Sequence, residues 1–184
     1  MRPTEVLIAE HNAVLIALQI LEKANGKLAS GGANVLEHMD QLMDFFRGFV
    51  DRCHHAKEED VLFPELLKRG LPRQGGPIAV MLAEHDAGRR HIREMSSLLG
   101  RLRSGERNSL HGIQENSDGY RDLLRSHIDK ENSVLFPMAD RLIPDDEAAK
   151  IIERFEEIER DRVGAGKHEA YHEMLHRLKE AYKV

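Results

Sequence analysis

Eleven histidines stand in this chain of 184 residues, and several recur at fixed spacing. His54-His55-Ala56-Lys57-Glu58-Glu59-Asp60-Val61-Leu62-Phe63-Pro64 matches His127-Ile128-Asp129-Lys130-Glu131-Asn132-Ser133-Val134-Leu135-Phe136-Pro137 at seven of eleven positions. Ahead of these segments, Ala9-Glu10-His11-Asn12-Ala13 answers Ala83-Glu84-His85-Asp86-Ala87. His11 precedes His54 by 43 residues, and His85 precedes His127 by 42. The chain therefore reads as a duplicated helical hairpin. Each copy carries one histidine on its first helix and a His-x3-Glu pair on its second.

Residues i and i+4 of a helix share a face, so His54 points with Glu58 and His127 with Glu131. Their helical neighbours are apolar: Val50, Val61 and Leu62 in one copy, Leu123, Leu124, Val134 and Leu135 in the other. His11 and His85 sit on apolar stripes of their own. Four imidazoles and two carboxylates thus face the interior of one bundle. Burying two carboxylates unpaired costs several kcal/mol or forces protonation. Two divalent or trivalent cations remove that cost: glutamates on facing helices bridge them, and neutral imidazoles complete each coordination sphere. The predicted metal ligands are His11, His54, Glu58, His85, His127 and Glu131. The competing reading is a set of core histidines bonded to neighbouring glutamates. Duplication of the whole pattern favours metal.

His55 and Glu59 also form an i,i+4 pair. The repeat selects His54 and Glu58, because Ile128 and Asn132 stand where His55 and Glu59 would be matched. The second pair is expected at the surface or behind the ligands. Nitrogen and oxygen donors without thiolate favour iron, manganese or zinc. Cys53 lies about 100° round the helix from His54 and reads as a packed thiol. Four further residues are candidates for supporting or open-site roles. Tyr120 lies two turns before His127, Arg89 one turn after His85, and Glu10 and Glu84 stand beside ligand histidines. Core packing competes for Tyr120, and a solvent-facing ion pair for Arg89. His38, His91 and His111 read as bystanders. The row His168, His172 and His176 reads as a solvated or packing face.

Six helices are needed to position these groups. Helical periodicity places them at about 4–28, 34–69, 78–103, 108–142, 146–162 and 167–182. Ser30-Gly31-Gly32, 70–77, Ser104-Gly105, Ile143-Pro144 and Gly164-Ala165-Gly166 separate them. No segment alternates with period two. The expected architecture is all-α: one domain over 1–184, an antiparallel up-down four-helix bundle over about 4–142, and a C-terminal helical extension over about 146–182.

Composition narrows the function classes. Net charge is −5 without a basic block, which argues against nucleic acid or an anionic membrane as partner. No run of 18 uninterrupted apolar residues predicts a membrane span, and the N-terminus does not read as a secretory signal. A single cysteine excludes an internal disulfide framework and fits a reducing, cytoplasmic setting.

The order and spacing of His11, His54-x3-Glu58, His85 and His127-x3-Glu131 resemble the hemerythrin-like (HHE cation-binding) family over about 5–140. The resemblance implies a four-helix bundle holding a non-haem di-iron centre, oxo- or hydroxo-bridged, with Glu58 and Glu131 as the bridging carboxylates. Oxygen-carrying members have a His-x3-His pair on the third helix. Here Arg89 follows His85 at that spacing, so one histidine is missing. Four His and two Glu resemble instead the iron-centre repair members, which handle nitrosative and oxidative stress. Those carry an additional cysteine-containing N-terminal region, and this chain begins at its first bundle helix. Fewer protein ligands leave more positions for small molecules. The expectation is a site that acts on or senses oxygen, peroxide, nitric oxide or iron. The alternatives are a metal-dependent sensor without turnover, a zinc or manganese bundle, and a metal-free structural bundle.

Overall fold

The computed structural model describes residues 1–30, 33–164 and 166–184, and every regular element among them is helical. We number the helices α1 (Pro3–Leu28), α2 (33–68), α3 (Pro77–Arg103), α4 (109–142), α5 (145–163) and α6 (Lys167–Tyr182). The helix positions follow the sequence periodicity closely. Gly31 and Gly32, expected to break the first hairpin, lie outside the described residues, as does Ala165 in the last predicted break. Pro3 and Pro77 open α1 and α3, where a missing N–H leaves nothing unsatisfied. Gly70, Gly105 and Gly164 end their helices with φ of +96°, +100° and +96°, a conformation that carries a steric cost for any residue with a Cβ.

Helices α1 to α4 form the antiparallel up-down bundle, each packed on its neighbours in sequence and α4 closing against α1. Helices α5 and α6 pack mainly on α1 and α2, so one hairpin is covered more than the other. Tyr171 of α6 fits against Gly48 of α2, where a Cβ would stand 2.0 Å from its hydroxyl oxygen. By length and mean hydropathy (1.4), α1 would suffice to cross a bilayer; 56% of that window is buried inside the bundle instead.

Two apolar layers divide the bundle along its axis. One gathers Val14, Leu18, Phe46, Val50, Ile92 and Leu124. The other gathers Leu7, Val61, Phe63, Met81, Leu135 and Phe136. Every bundle helix enters both layers; the first three cross between them at His11, His54 and His85, and α4 crosses at Glu131.

The helices are not uniform. Glu58–Leu62 in α2 and Glu131–Leu135 in α4 form wide π turns at matching places in the repeat. Pro64 and Pro137 follow them, and proline neither donates to the carbonyl four residues back nor tolerates its close approach. The freed Asp60 carbonyl accepts from Arg154 Nη2 at 3.0 Å. A further, longer π segment, Phe46–His55, occurs in α2 and has no counterpart in α4.

Candidate metal centre

The six predicted ligands converge between the two apolar layers, all buried. His11 and His54 bring their Nε2 atoms to 3.0 Å, and His85 and His127 bring theirs to 3.1 Å. Glu131 spans the two pairs, with Oε2 3.1 Å from His11 Nε2 and Oε1 3.3 Å from His127 Nε2. Glu58 spans them from the other side, with Oε1 3.7 Å from His54 Nε2 and Oε2 3.4 Å from His85 Nε2. Neither carboxylate has a hydrogen bond of acceptable geometry at either oxygen. Both are wholly removed from water. His11, His54, Glu58 and Glu131 place donor atoms within 4.8 Å of one another, as metal ligation requires.

An outer layer fixes the imidazoles. His54 Nδ1 donates to Glu10 Oε2 at 2.8 Å, and His127 Nδ1 to Glu84 Oε2 at 2.9 Å. His85 Nδ1 donates to Glu59 Oε1 at 2.7 Å, and His11 Nδ1 to Asn132 Oδ1 at 2.9 Å. With the proton at Nδ1, each Nε2 turns a lone pair inward. Two such lone pairs about 3 Å apart repel unless a cation lies between them. The repeat works in both directions: Glu10 and Glu84 serve histidines of their own hairpin, whereas Glu59 and Asn132, matched in sequence, serve the opposite one.

Electrostatics follow the same plan. Burial and the nearby Glu131 charge push the Glu58 carboxyl well above the usual range. Burial acts the same way on Glu131, but the His11 and His127 imidazoles, 3.1 and 3.3 Å from its oxygens, outweigh it and hold that carboxyl low. Burial raises Glu10 too, and His54 with the Lys57 ammonium brings it down to about 2. Desolvation lowers His54 to about 4 despite the Glu10 bond, keeping the imidazole neutral and available to a metal.

Of the two places expected for the second pair, the surface is excluded for His55: it is 4% exposed and stacks on His85 with ring centroids 3.8 Å apart. His55, Glu58, His85 and His127 form a second group of donor atoms within 4.8 Å of one another. The π segment Phe46–His55 widens the helix leading to His55 and shifts the helical phase. On the other side of α2, Glu159 of α5 covers Lys57, so residues 53 to 58 are all buried in succession. Glu59, its predicted companion, is half-buried and holds His85 from outside.

The remaining candidates divide. Arg89 pairs with Asp51 (2.7 Å), Glu59 (2.7 Å) and Asp86 (3.0 Å), an ion-pair role behind His85. Tyr120 packs edge-on against Phe46 with centroids 4.9 Å apart. Both line a cavity of about 190 Å³ with His55 and Gly88, where a Cβ would stand 3.3 Å from the Tyr120 ring. Cys53 is fully buried, and burial pushes its thiol up to about 12, as suits packing rather than ligation. His38 bonds Tyr182 and His91 bonds Asn116, far from any ligand role. His111 and His176 are exposed, each near a glutamate one turn on. His168 and His172 border the Glu10–Glu159 pair, which sequence spacing did not bring together.

An all-helical bundle with paired imidazoles bridged by buried carboxylates defines a metal-binding class of site. A family profile described as the Hemerythrin HHE cation binding domain matches residues 2–139. The chain belongs to that family. Similar curated proteins include those named iron-sulfur cluster repair protein YtfE in Salmonella paratyphi B, Salmonella newport and Salmonella heidelberg. Each is 39% identical over 93 residues, a stretch covering 47% of this chain and 40% of the relative. The chain thus spans less than half the length of those relatives.

Proposed function

We propose that the chain holds two iron ions, one at the His11/His54 pair and one at the His85/His127 pair, bridged by Glu58 and Glu131. The observation that carries this reading is the state of the two carboxylates: wholly buried, without hydrogen-bond donors, each reaching one imidazole of each pair. Removing a charge from water without pairing it costs several kcal/mol, and two cations supply the pairing. Bound iron supplies redox chemistry and affinity for small diatomic or peroxide ligands.

The chain's own residues set how that chemistry is confined. Glu10, Glu84, Glu59 and Asn132 hold the imidazoles in the ligating tautomer. The apolar layers above and below exclude bulk water. The cavity beside His55 gives a small molecule a route inward, past Arg89 and Tyr120. The ligand we assign is oxygen, peroxide or nitric oxide, in the class of iron-centre repair that the names of the relatives indicate. A cytoplasmic setting suits a chain with one buried thiol and no disulfide.

The test is elemental analysis of protein from iron-fed cells, paired with an absorption spectrum in air. About two irons per chain with near-ultraviolet charge-transfer bands is the expected result. Zinc or manganese as the native metal would remove the redox reading. Absence of metal after anaerobic reconstitution would overturn the centre itself.

A further inference from the structure

We propose that His55 is a fifth imidazole ligand, belonging to the His85/His127 position, so that the two metal positions are inequivalent: three imidazoles on one and two on the other. The inference rests on the dinuclear reading above.

His55 is buried, and neither ring nitrogen has a hydrogen-bond partner. Leaving a buried polar group unsatisfied is costly, so an idle imidazole in this layer needs an explanation. Its neighbours do not supply one. Asp51 Oδ1 stands 3.6 Å from His55 Nδ1, beyond hydrogen-bond range, and is held by Arg89 Nε at 2.7 Å. His85 offers only its ring face, at 3.8 Å and 15°. His127 lies edge-on at 5.9 Å and His54 tilted at 5.8 Å.

Each of the other four histidines bonds an outer acceptor through Nδ1 and turns Nε2 to the centre. His55 has no such bond, its Nδ1 lying 3.6 Å from the Asp51 carboxylate, and its donor atom groups with His85, His127 and Glu58, not with His11 and His54. Arg89, one turn after His85, is drawn outward by three carboxylates and leaves that side of the cluster to the His55 imidazole. His55 is also the one member of the cluster that lines the 190 Å³ cavity.

The test is anaerobic titration of the apoprotein with ferrous iron, followed by Mössbauer spectra of the loaded form. Wild type should bind two irons per chain and give two distinct quadrupole doublets of equal area. His55→Ala should keep the first iron at wild-type affinity and weaken the second by 10-fold or more. Its two doublets should converge, and added imidazole should restore the second iron. His55→Gln fills the same space and covers the case in which the alanine variant fails to fold. Two irons bound at wild-type affinity with an unchanged spectrum in a folded variant would overturn the proposal. Failure of wild type to bind two irons would instead count against the dinuclear reading on which it rests.

Discussion

The two hairpins carry the same polar arrangement in different surroundings. In the first, Lys57 bridges Glu10 and Glu159 beneath α5, and its side chain is 2% exposed. In the second, Lys130 reaches Glu84 alone, and its side chain is 36% exposed. Burial gave Lys57 a second carboxylate from the C-terminal extension; solvent serves Lys130 instead. The outer face of α2 has Gly48 beneath Tyr171, whereas that of α4 carries Asp122 and Arg125 toward water. The π turn at the ligand glutamate is common to both copies, and the π segment before the ligand histidine belongs to the first alone. Duplication therefore preserved what each metal position needs, and divergence followed what covers each half.

The largest expected effect tests the shared part. Glu58→Ala and Glu131→Ala each should drop iron well below two per chain, measured by elemental analysis, because each carboxylate spans both halves. Glu59→Ala should keep near-wild-type occupancy at saturating iron while weakening affinity about 10–100-fold, since it orients His85 from outside. Equal loss of occupancy in Glu58→Ala and Glu59→Ala would break the assignment of inner and outer carboxylates.

Lysine substitutions test the difference between the halves. Lys57→Met leaves Glu10 and Glu159 facing each other under cover and should cost about 3–5 kcal/mol in denaturant unfolding. Lys130→Met removes a pair open to water and should cost about 0–1 kcal/mol. Similar costs would remove burial as the distinction. Glu10→Gln and Glu84→Gln should instead behave alike, each lowering iron affinity about 10–100-fold in competition with a chelator. Gly48→Ala should cost about 1–3 kcal/mol by displacing Tyr171. Smallest of all, Arg125→Ala on the exposed face should stay within about 0.5 kcal/mol.

Most of the fold was legible because helical periodicity, proline starts and glycine stops are local signals. The six residues proposed as inner ligands were legible because a repeated i,i+4 spacing survives as pattern. Glu10 and Glu84 were visible as a matched pair, but their partners were not: Glu10 meets His54 across 44 residues. Two placements waited on the tertiary structure. His55 looked peripheral because a regular α-helix turns adjacent residues 100° apart, and the π segment changed the phase. Arg89 at one turn from His85 was open between site and solvent, and the choice lay with Asp51, Glu59 and Asp86, two of them on another helix.

By itself the sequence determined an all-helical hairpin pair, the residue types that face its interior and the need for cations to accompany two buried carboxylates. These follow from periodicity and from the energetic cost of isolated charge, which operate along one helix at a time. Only the tertiary structure decided which imidazole each carboxylate steadies, that Glu59 and Asn132 cross to the opposite hairpin, and that His55 stands inside. Those depend on how helices lie against one another and on which face a fifth and sixth helix cover, and no local spacing encodes that.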